Sequence, residues 1–78
     1  MDERLRDIVS GVFGIEPARV TADLTADQVA SWDSLTHLNL VLTLEQSFGV
    51  SFEPEEAAAL RSVRAIRQML VSKSAAGA

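Results

Sequence analysis

The absence of cysteine is the feature that most limits how this chain can fold. Its 78 residues can bury only about 60–65% of the surface that the unfolded chain exposes, and chains of this size often add disulfide bonds or a metal site for stability. Without cysteine, disulfides and thiolate-bound zinc are excluded. Hydrophobic residues make up 47% of the chain, so we expect apolar packing to hold together one small domain over residues 1–78.

Catalytic side chains are also scarce. The chain has one histidine, His37, and no tyrosine. A cysteine nucleophile, a two-histidine metal site and a tyrosine acid are therefore excluded, and we expect a protein that is not an enzyme and binds no metal ion. The sequence contains neither the apolar run of a signal peptide nor the roughly 18 apolar residues of a membrane span, which predicts a cytoplasmic protein without membrane contact.

Charge is distributed unevenly along the chain, whose net charge is −4. Residues 34–60 contain four acids and no base, whereas residues 61–78 contain four bases and no acid. Binding of nucleic acids depends on neutralising phosphates with lysine and arginine, so the acidic balance argues against a DNA or RNA partner. The acidic middle segment favours a partner with a cationic surface.

The spacing of apolar residues predicts an all-α fold of four helices. We expect helix one over residues 2–13 and helix two over residues 34–48, each followed by a glycine that ends it. Either Asp33 or Ser34 can accept hydrogen bonds from the first backbone N–H groups of helix two. Helix two is therefore well bounded at both ends.

The second half of the chain predicts a short helix and a longer one. Pro54, followed by two acids, predicts a third helix that ends near residue 60. Ser62 can cap a last helix, and residues 72–78 are predicted to be a frayed tail. Residues 15–33 form a long loop whose recurring apolar residues anchor it. The expected architecture is a four-helix bundle with three main helices, a short third helix and a long first loop.

Helix two carries two apolar stripes when its residues are placed at intervals of about 100°. The first stripe is a core face and consists of Leu40, Val41, Leu44 and Phe48. The second, which we call the leucine stripe, consists of Leu35, Leu38 and Leu42. A single core does not require both stripes. The leucine stripe either packs beneath the long loop or contacts a partner or cargo, since exposed apolar rows usually mark interaction sites.

The start of helix two resembles a known family. Asp33-Ser34-Leu35 is similar to the Asp-Ser-Leu motif of the acyl carrier proteins, in which the serine opens the second helix. The similarity continues through Leu38, Leu40-Val41, Leu44-Glu45, Phe48-Gly49-Val50 and Glu53-Pro54-Glu55-Glu56. Together with the chain length and the four-helix layout, the resemblance covers about residues 3–72.

The resemblance implies a covalent cofactor. It implies that a phosphopantetheinyl transferase attaches 4′-phosphopantetheine from coenzyme A to Ser34, and that acyl groups are carried on this arm as thioesters. A phosphate at a helix N-terminus meets unpaired N–H groups, so the position suits the group. The resemblance gives Asp33 a supporting role in the transfer. Taken alone, Asp33 and Ser34 are each equally well explained as a helix cap.

The resemblance also implies docking through acids of helix two, and here the chain departs from the family. Asn39 stands where many fatty-acid carriers have glutamate, so Glu45 is the acid of this helix. We therefore predict a partner surface that consists of the leucine stripe with Asn39 and Glu45. Its expected partners are acyl-loading, condensing or acyl-transferring enzymes, and the carrier itself is expected to be a monomer.

The sequence leaves several alternatives open. A tryptophan before the motif is more similar to carriers of specialised pathways, which favours polyketide or lipopeptide-type biosynthesis over fatty-acid synthesis. Trp32 is interpreted as a plug of the loop onto the core or as a lining of the acyl path, and His37 as a surface or packing residue without a role. The alternative from another class is an unmodified helical adaptor that binds a partner helix through the leucine stripe.

Overall fold

A computed structural model describes the backbone of residues 3–77 and the side chains of residues 3–73. In this range the chain forms, in order, α1 (Glu3–Phe13), α2 (Ser34–Phe48), α3 (Pro54–Ala58) and α4 (Val63–Gly77). The predicted all-α architecture is confirmed. Residues 1, 2 and 78, which include the predicted first residue of helix one and the last residue of the tail, lie outside the described residues.

Two boundaries in the C-terminal half differ from the prediction. α3 ends at Ala58 rather than near residue 60. The Leu60 N–H donates to the carbonyl three residues back, that of Ala57, at 3.2 Å, and this tighter turn places the Leu60 side chain fully in the core. α4 continues to Gly77, whereas residues 72–78 are predicted to be a frayed tail. No proline or glycine precedes Gly77 in this helix, so no local signal ends it earlier.

Glycine ends both α1 and α2, as predicted. Gly14 and Gly49 each have a φ of 65°, which is the left-handed conformation that glycine adopts without steric cost. At the end of α2 the Gly49 N–H donates to the Glu45 carbonyl, which satisfies one of the last free acceptors of the helix. The length of α2 is therefore fixed by local signals at its end.

The loop between α1 and α2 lies on the core and is pinned near its middle. Its short 3₁₀ turns span Pro17–Arg19 and Ala26–Gln28, and its buried apolar residues are Val20, Leu24, Ala26, Val29 and Trp32. The Ala26 N–H donates to the Arg61 carbonyl at 2.8 Å, and the Val63 N–H donates to the Leu24 carbonyl at 3.0 Å. The predicted anchoring of the loop is confirmed, and its attachment point is the connection between α3 and α4.

α2 presents one face to the core and the other to solvent. Leu40 and Leu44 have no exposed surface, and α2 packs against α1. The leucine stripe, by contrast, is exposed by 68% at Leu35, 53% at Leu38 and 47% at Leu42. The interpretation that the loop covers this stripe is therefore wrong. The stripe is free to contact a partner or cargo.

Candidate functional site

The first turn of α2 is closed by a reciprocal pair of hydrogen bonds. Asp33 Oδ1 accepts from the Thr36 N–H at 3.0 Å, and Thr36 Oγ1 accepts from the Asp33 N–H at 2.9 Å. This is the capping-box arrangement, with threonine in place of the usual glutamate. The sequence allowed either Asp33 or Ser34 to cap α2, and in the structure Asp33 is the cap.

The cap leaves Ser34 available for chemistry. Ser34 is the first residue of α2 and is exposed, and its hydroxyl makes no hydrogen bond to the described residues. The hydrogen bonds from the Thr36 N–H, and then from the Thr36 hydroxyl, hold the pKa of Asp33 below its usual value. Asp33 is thus ionised at neutral pH, and it accepts hydrogen bonds at the helix end where the dipole favours a negative charge.

The segment before α2 is fixed to the end of α1. The Ser31 hydroxyl donates to the Phe13 carbonyl at 2.8 Å. Trp32 is buried, and its ring stacks on that of Phe13 with 4.3 Å between the centroids. The interpretation of Trp32 as a plug of the loop onto the core is confirmed. Through these contacts the core holds the chain immediately before Ser34.

His37 is a packing residue, one of the alternatives from the sequence, and it makes two hydrogen bonds that sequence reasoning missed. Its Nδ1 accepts from the Trp32 Nε1–H at 3.0 Å, and its Nε2 lies 2.8 Å from the Ala57 carbonyl oxygen. The half-buried imidazole thus joins the loop, α2 and α3. A signal was present in the sequence: Trp32 and His37 occupy the positions before the cap and at the fourth residue of α2, where apolar side chains often pack together.

A cleft of about 510 Å³ opens beside Ser34. The residues that line it are Trp32, Asp33, Ser34, His37, Ala58 and Arg61. Arg61 is exposed and brings a positive charge to a cleft whose other fully charged side chain is Asp33. The sequence around Arg61 contains no signal that this residue lies near Ser34. The cleft therefore combines a free hydroxyl with a cation.

The predicted partner surface is only partly assembled. Asn39 is exposed with the leucine stripe, as expected from its place on α2. Glu45 is half-buried, and its Oε2 accepts from the Phe52 N–H at 2.9 Å. Glu45 therefore holds the connection between α2 and α3. This internal hydrogen bond reduces what Glu45 can offer to a partner.

The described residues add two negative findings. Within residues 3–77, no helix is both long and apolar enough to cross a membrane. The same part of the chain contains no group of three or more histidine, cysteine, aspartate or glutamate side chains that could hold a metal ion.

Comparison with known proteins gives the family. Residues 3–70 match the family described as "Phosphopantetheine attachment site". The chain belongs to the acyl carrier protein family. This carrier protein is 30% identical to the acyl carrier protein of Thermosynechococcus vestitus over 74 residues, which cover 95% of the chain and 91% of the relative. Carriers of this family are not enzymes, and they bear a covalently attached 4′-phosphopantetheine group.

Two further relatives differ in their names. The acyl carrier protein of Akkermansia muciniphila is 35% identical over 63 residues, which cover 81% of this carrier and 79% of the relative. The "Polyketide-8 synthase acyl carrier protein 2" of Streptomyces avermitilis is 31% identical over 71 residues, which cover 91% of this carrier and 82% of the relative. The family is therefore settled, whereas only the Streptomyces avermitilis relative has a name that indicates a pathway.

Proposed function

We propose that Ser34 is the residue that carries 4′-phosphopantetheine, and that the protein delivers acyl intermediates to partner enzymes. The observation that supports this is the position of Ser34. It is exposed at the first turn of α2, is not used as the cap, and lies at the edge of the cleft. The thiol at the end of the arm supplies thioester chemistry that a cysteine-free chain lacks.

The proposed modification is a phosphoryl transfer. Ser34 Oγ bonds to the phosphorus of the pantetheine phosphate in coenzyme A, and the bond between that phosphorus and 3′,5′-ADP breaks. The hydroxyl proton passes to a base of the transferase. Asp33 supports the step by holding the first turn of α2 closed, and the positive end of the helix favours the resulting phosphodiester.

Intact mass measurement tests this proposal. The purified chain is incubated with coenzyme A, Mg²⁺ and a phosphopantetheinyl transferase of broad specificity, and we expect the mass of one arm to be added. An unchanged mass with several competent transferases would reject the carrier function of this chain. The unmodified adaptor alternative predicts that outcome.

We assign the carrier to polyketide or lipopeptide-type biosynthesis in the cytoplasm, acting as a monomer. Two observations support this assignment: the Streptomyces avermitilis relative is named as a polyketide synthase carrier, and position 39 is asparagine where many fatty-acid carriers have glutamate. Fatty-acid synthesis is the second candidate, because the other two relatives are named only as acyl carrier proteins. Loading of the holo protein by acyltransferases from the two kinds of pathway, measured side by side, separates them.

Docking is expected to depend on the leucine stripe more than on charge. Leu38→Ala in the holo protein should slow acyl loading by about tenfold, because it removes an exposed apolar anchor. Glu45→Gln should slow loading less than about threefold, since the amide oxygen can still accept from the Phe52 N–H. Raising the salt concentration from about 50 to 500 mM should weaken loading only modestly. A dominant effect of Glu45→Gln together with a steep salt dependence would contradict this view.

Arg61 is expected to contact the phosphodiester on Ser34, since both line the same cleft. In the holo protein, Arg61→Gln should shift the phosphorus-31 resonance, whereas Arg67→Gln, at another exposed arginine, should leave it unchanged. The shift caused by Arg61→Gln should shrink when the salt concentration is raised from about 50 to 500 mM, because an exposed contact between charges is screened. Equal spectra for the two variants would remove Arg61 from the site.

A further inference from the structure

The bridge made by His37 connects the walls of the cleft beside Ser34. It joins the Trp32 indole, on the segment before the cap, to the Ala57 carbonyl of α3. Both Trp32 and His37 line the cleft, and so does Ala58, the residue after Ala57. One imidazole thus connects the loop, the first turn of α2 and the end of α3 at the site.

The donors and acceptors of the bridge determine the form of the imidazole. The indole Nε1–H can only donate, so Nδ1 must carry no hydrogen. The carbonyl oxygen can only accept, so Nε2 must carry the hydrogen. The geometry is therefore satisfied only by the neutral imidazole with its hydrogen on Nε2. Protonation adds a hydrogen to Nδ1, which then faces the indole N–H and can no longer accept from it.

We propose that neutral His37 is a positioning residue that holds the cleft wall around Ser34, so that addition of the arm becomes less efficient when this imidazole is protonated. The proposal rests on the attachment of the arm at Ser34. Trp32 is buried, so loss of its partner leaves an indole N–H without a hydrogen bond in an apolar setting. Relief of that cost requires Trp32 or His37 to move, and Trp32 precedes the cap residue directly.

The charged groups near His37 lie in the cleft and on α3. Asp33 and Arg61 share the cleft, and the lowered pKa of Asp33 keeps that carboxylate ionised above pH 5. On α3, Glu56 is paired with Lys73 at 2.7 Å, and its pKa is also lowered, chiefly by that hydrogen bond. The contact from α1 is the apolar Phe13 ring on Trp32. Histidine is the side chain whose charge ordinarily changes between about pH 5 and 8.

Tryptophan fluorescence of the apo protein tests the bridge without any modification. Trp32 is the only tryptophan, so its emission reports directly on this contact as the pH is lowered from about 8 to 5. We expect the wild-type emission to change along a single titration curve. His37→Gln is the matched control, because its amide can accept from the indole and donate to the carbonyl without titrating. Its emission should stay constant.

The rate of arm addition tests the consequence for Ser34. The ratio of the wild-type rate to the His37→Gln rate is measured at each pH, so that the pH dependence of the transferase itself cancels. We expect this ratio to fall by roughly threefold or more between about pH 8 and 5, because the bridge requires an unprotonated Nδ1 and histidine is the side chain whose charge ordinarily changes in this interval. Three results would each overturn the proposal: wild-type emission that stays constant with pH, emission of His37→Gln that changes as the wild type does, or a rate ratio that does not depend on pH.

Two further results keep the test decisive. If His37→Gln has lost helicity at pH 8, nitrogen-15 spectra of the wild-type imidazole read the tautomer directly, and a hydrogen on Nδ1 at that pH overturns the proposal. If no arm is added to the wild type at any pH while its fluorescence titrates, the bridge stands, the attachment at Ser34 fails, and the positioning role fails with it.

Discussion

Ser34→Ala is expected to abolish addition of the phosphopantetheine arm completely. The replacement removes the oxygen that bonds to phosphorus, and the other hydroxyl of this turn, on Thr36, is held by its hydrogen bonds to Asp33 and to the Ser31 carbonyl. Because Asp33 is the cap, Ser34 contributes no capping hydrogen bond, and alanine is a good helix former. The variant should therefore keep the helicity of the wild type by circular dichroism while its intact mass stays that of the apo protein.

A matched serine makes this result specific. Ser51 is exposed in the connection between α2 and α3, so Ser51→Ala should accept one arm at the wild-type rate. Addition of an arm to Ser34→Ala would show that another serine is used and would reject the assigned site, but not the carrier function. Failure of both variants and of the wild type would reject the carrier function itself.

Leu44→Ala is expected to lower the free energy of unfolding by roughly 2 to 4 kcal/mol. Leu44 has no exposed surface and lies on the core face of α2, so truncation leaves a cavity that a domain of this size has little means to fill. A loss of this size is a large fraction of the roughly 5 to 15 kcal/mol that stabilises an ordinary domain. Urea titration of the two proteins, with equal slopes, measures it.

Leu38→Ala is the matched control on the exposed side of the same helix. Leu38 is 53% exposed, so its truncation should cost less than about 1.5 kcal/mol. Similar losses for the two variants would mean that Leu38 is buried in solution, and the leucine stripe would then shrink to Leu35 and Leu42. A small cost also makes Leu38→Ala a clean probe of docking, because the variant stays folded.

Local signals were sufficient to predict α2. Its bounds follow from side-chain and backbone preferences that act within one turn of the helix, although these left the cap open between Asp33 and Ser34. The same local logic failed for α3, because a run of alanines after Glu56 contains no stop signal. α3 ends where the chain turns to bury Leu60 and to pair Arg61 with Ala26, and neither contact is visible in the local sequence.

The site was predictable as far as it depends on its motif. Asp33 and Ser34 are adjacent, and the structure keeps them together at the helix start. The hydrogen bond from His37 to α3 and the approach of Arg61 to the cleft were missed because both depend on residues far along the chain, whereas the contact between His37 and Trp32 is local. Glu45 was predicted as a docking acid. Its hydrogen bond with the connection after α2 could not be foreseen, because it has no sequence signal.

The attachment of the long loop to the start of α4, which we call the pin, also affects how the chain folds. Its two backbone hydrogen bonds join Leu24 and Ala26, from the first half of the chain, to Arg61 and Val63, from the second. Helices form from neighbours in sequence within about a microsecond, whereas such a pair must first close the long segment that contains α2 and α3. Proteins whose contacts join residues farther apart in sequence fold more slowly. The slow event in folding should therefore be the closure of this pin, after the helices have formed.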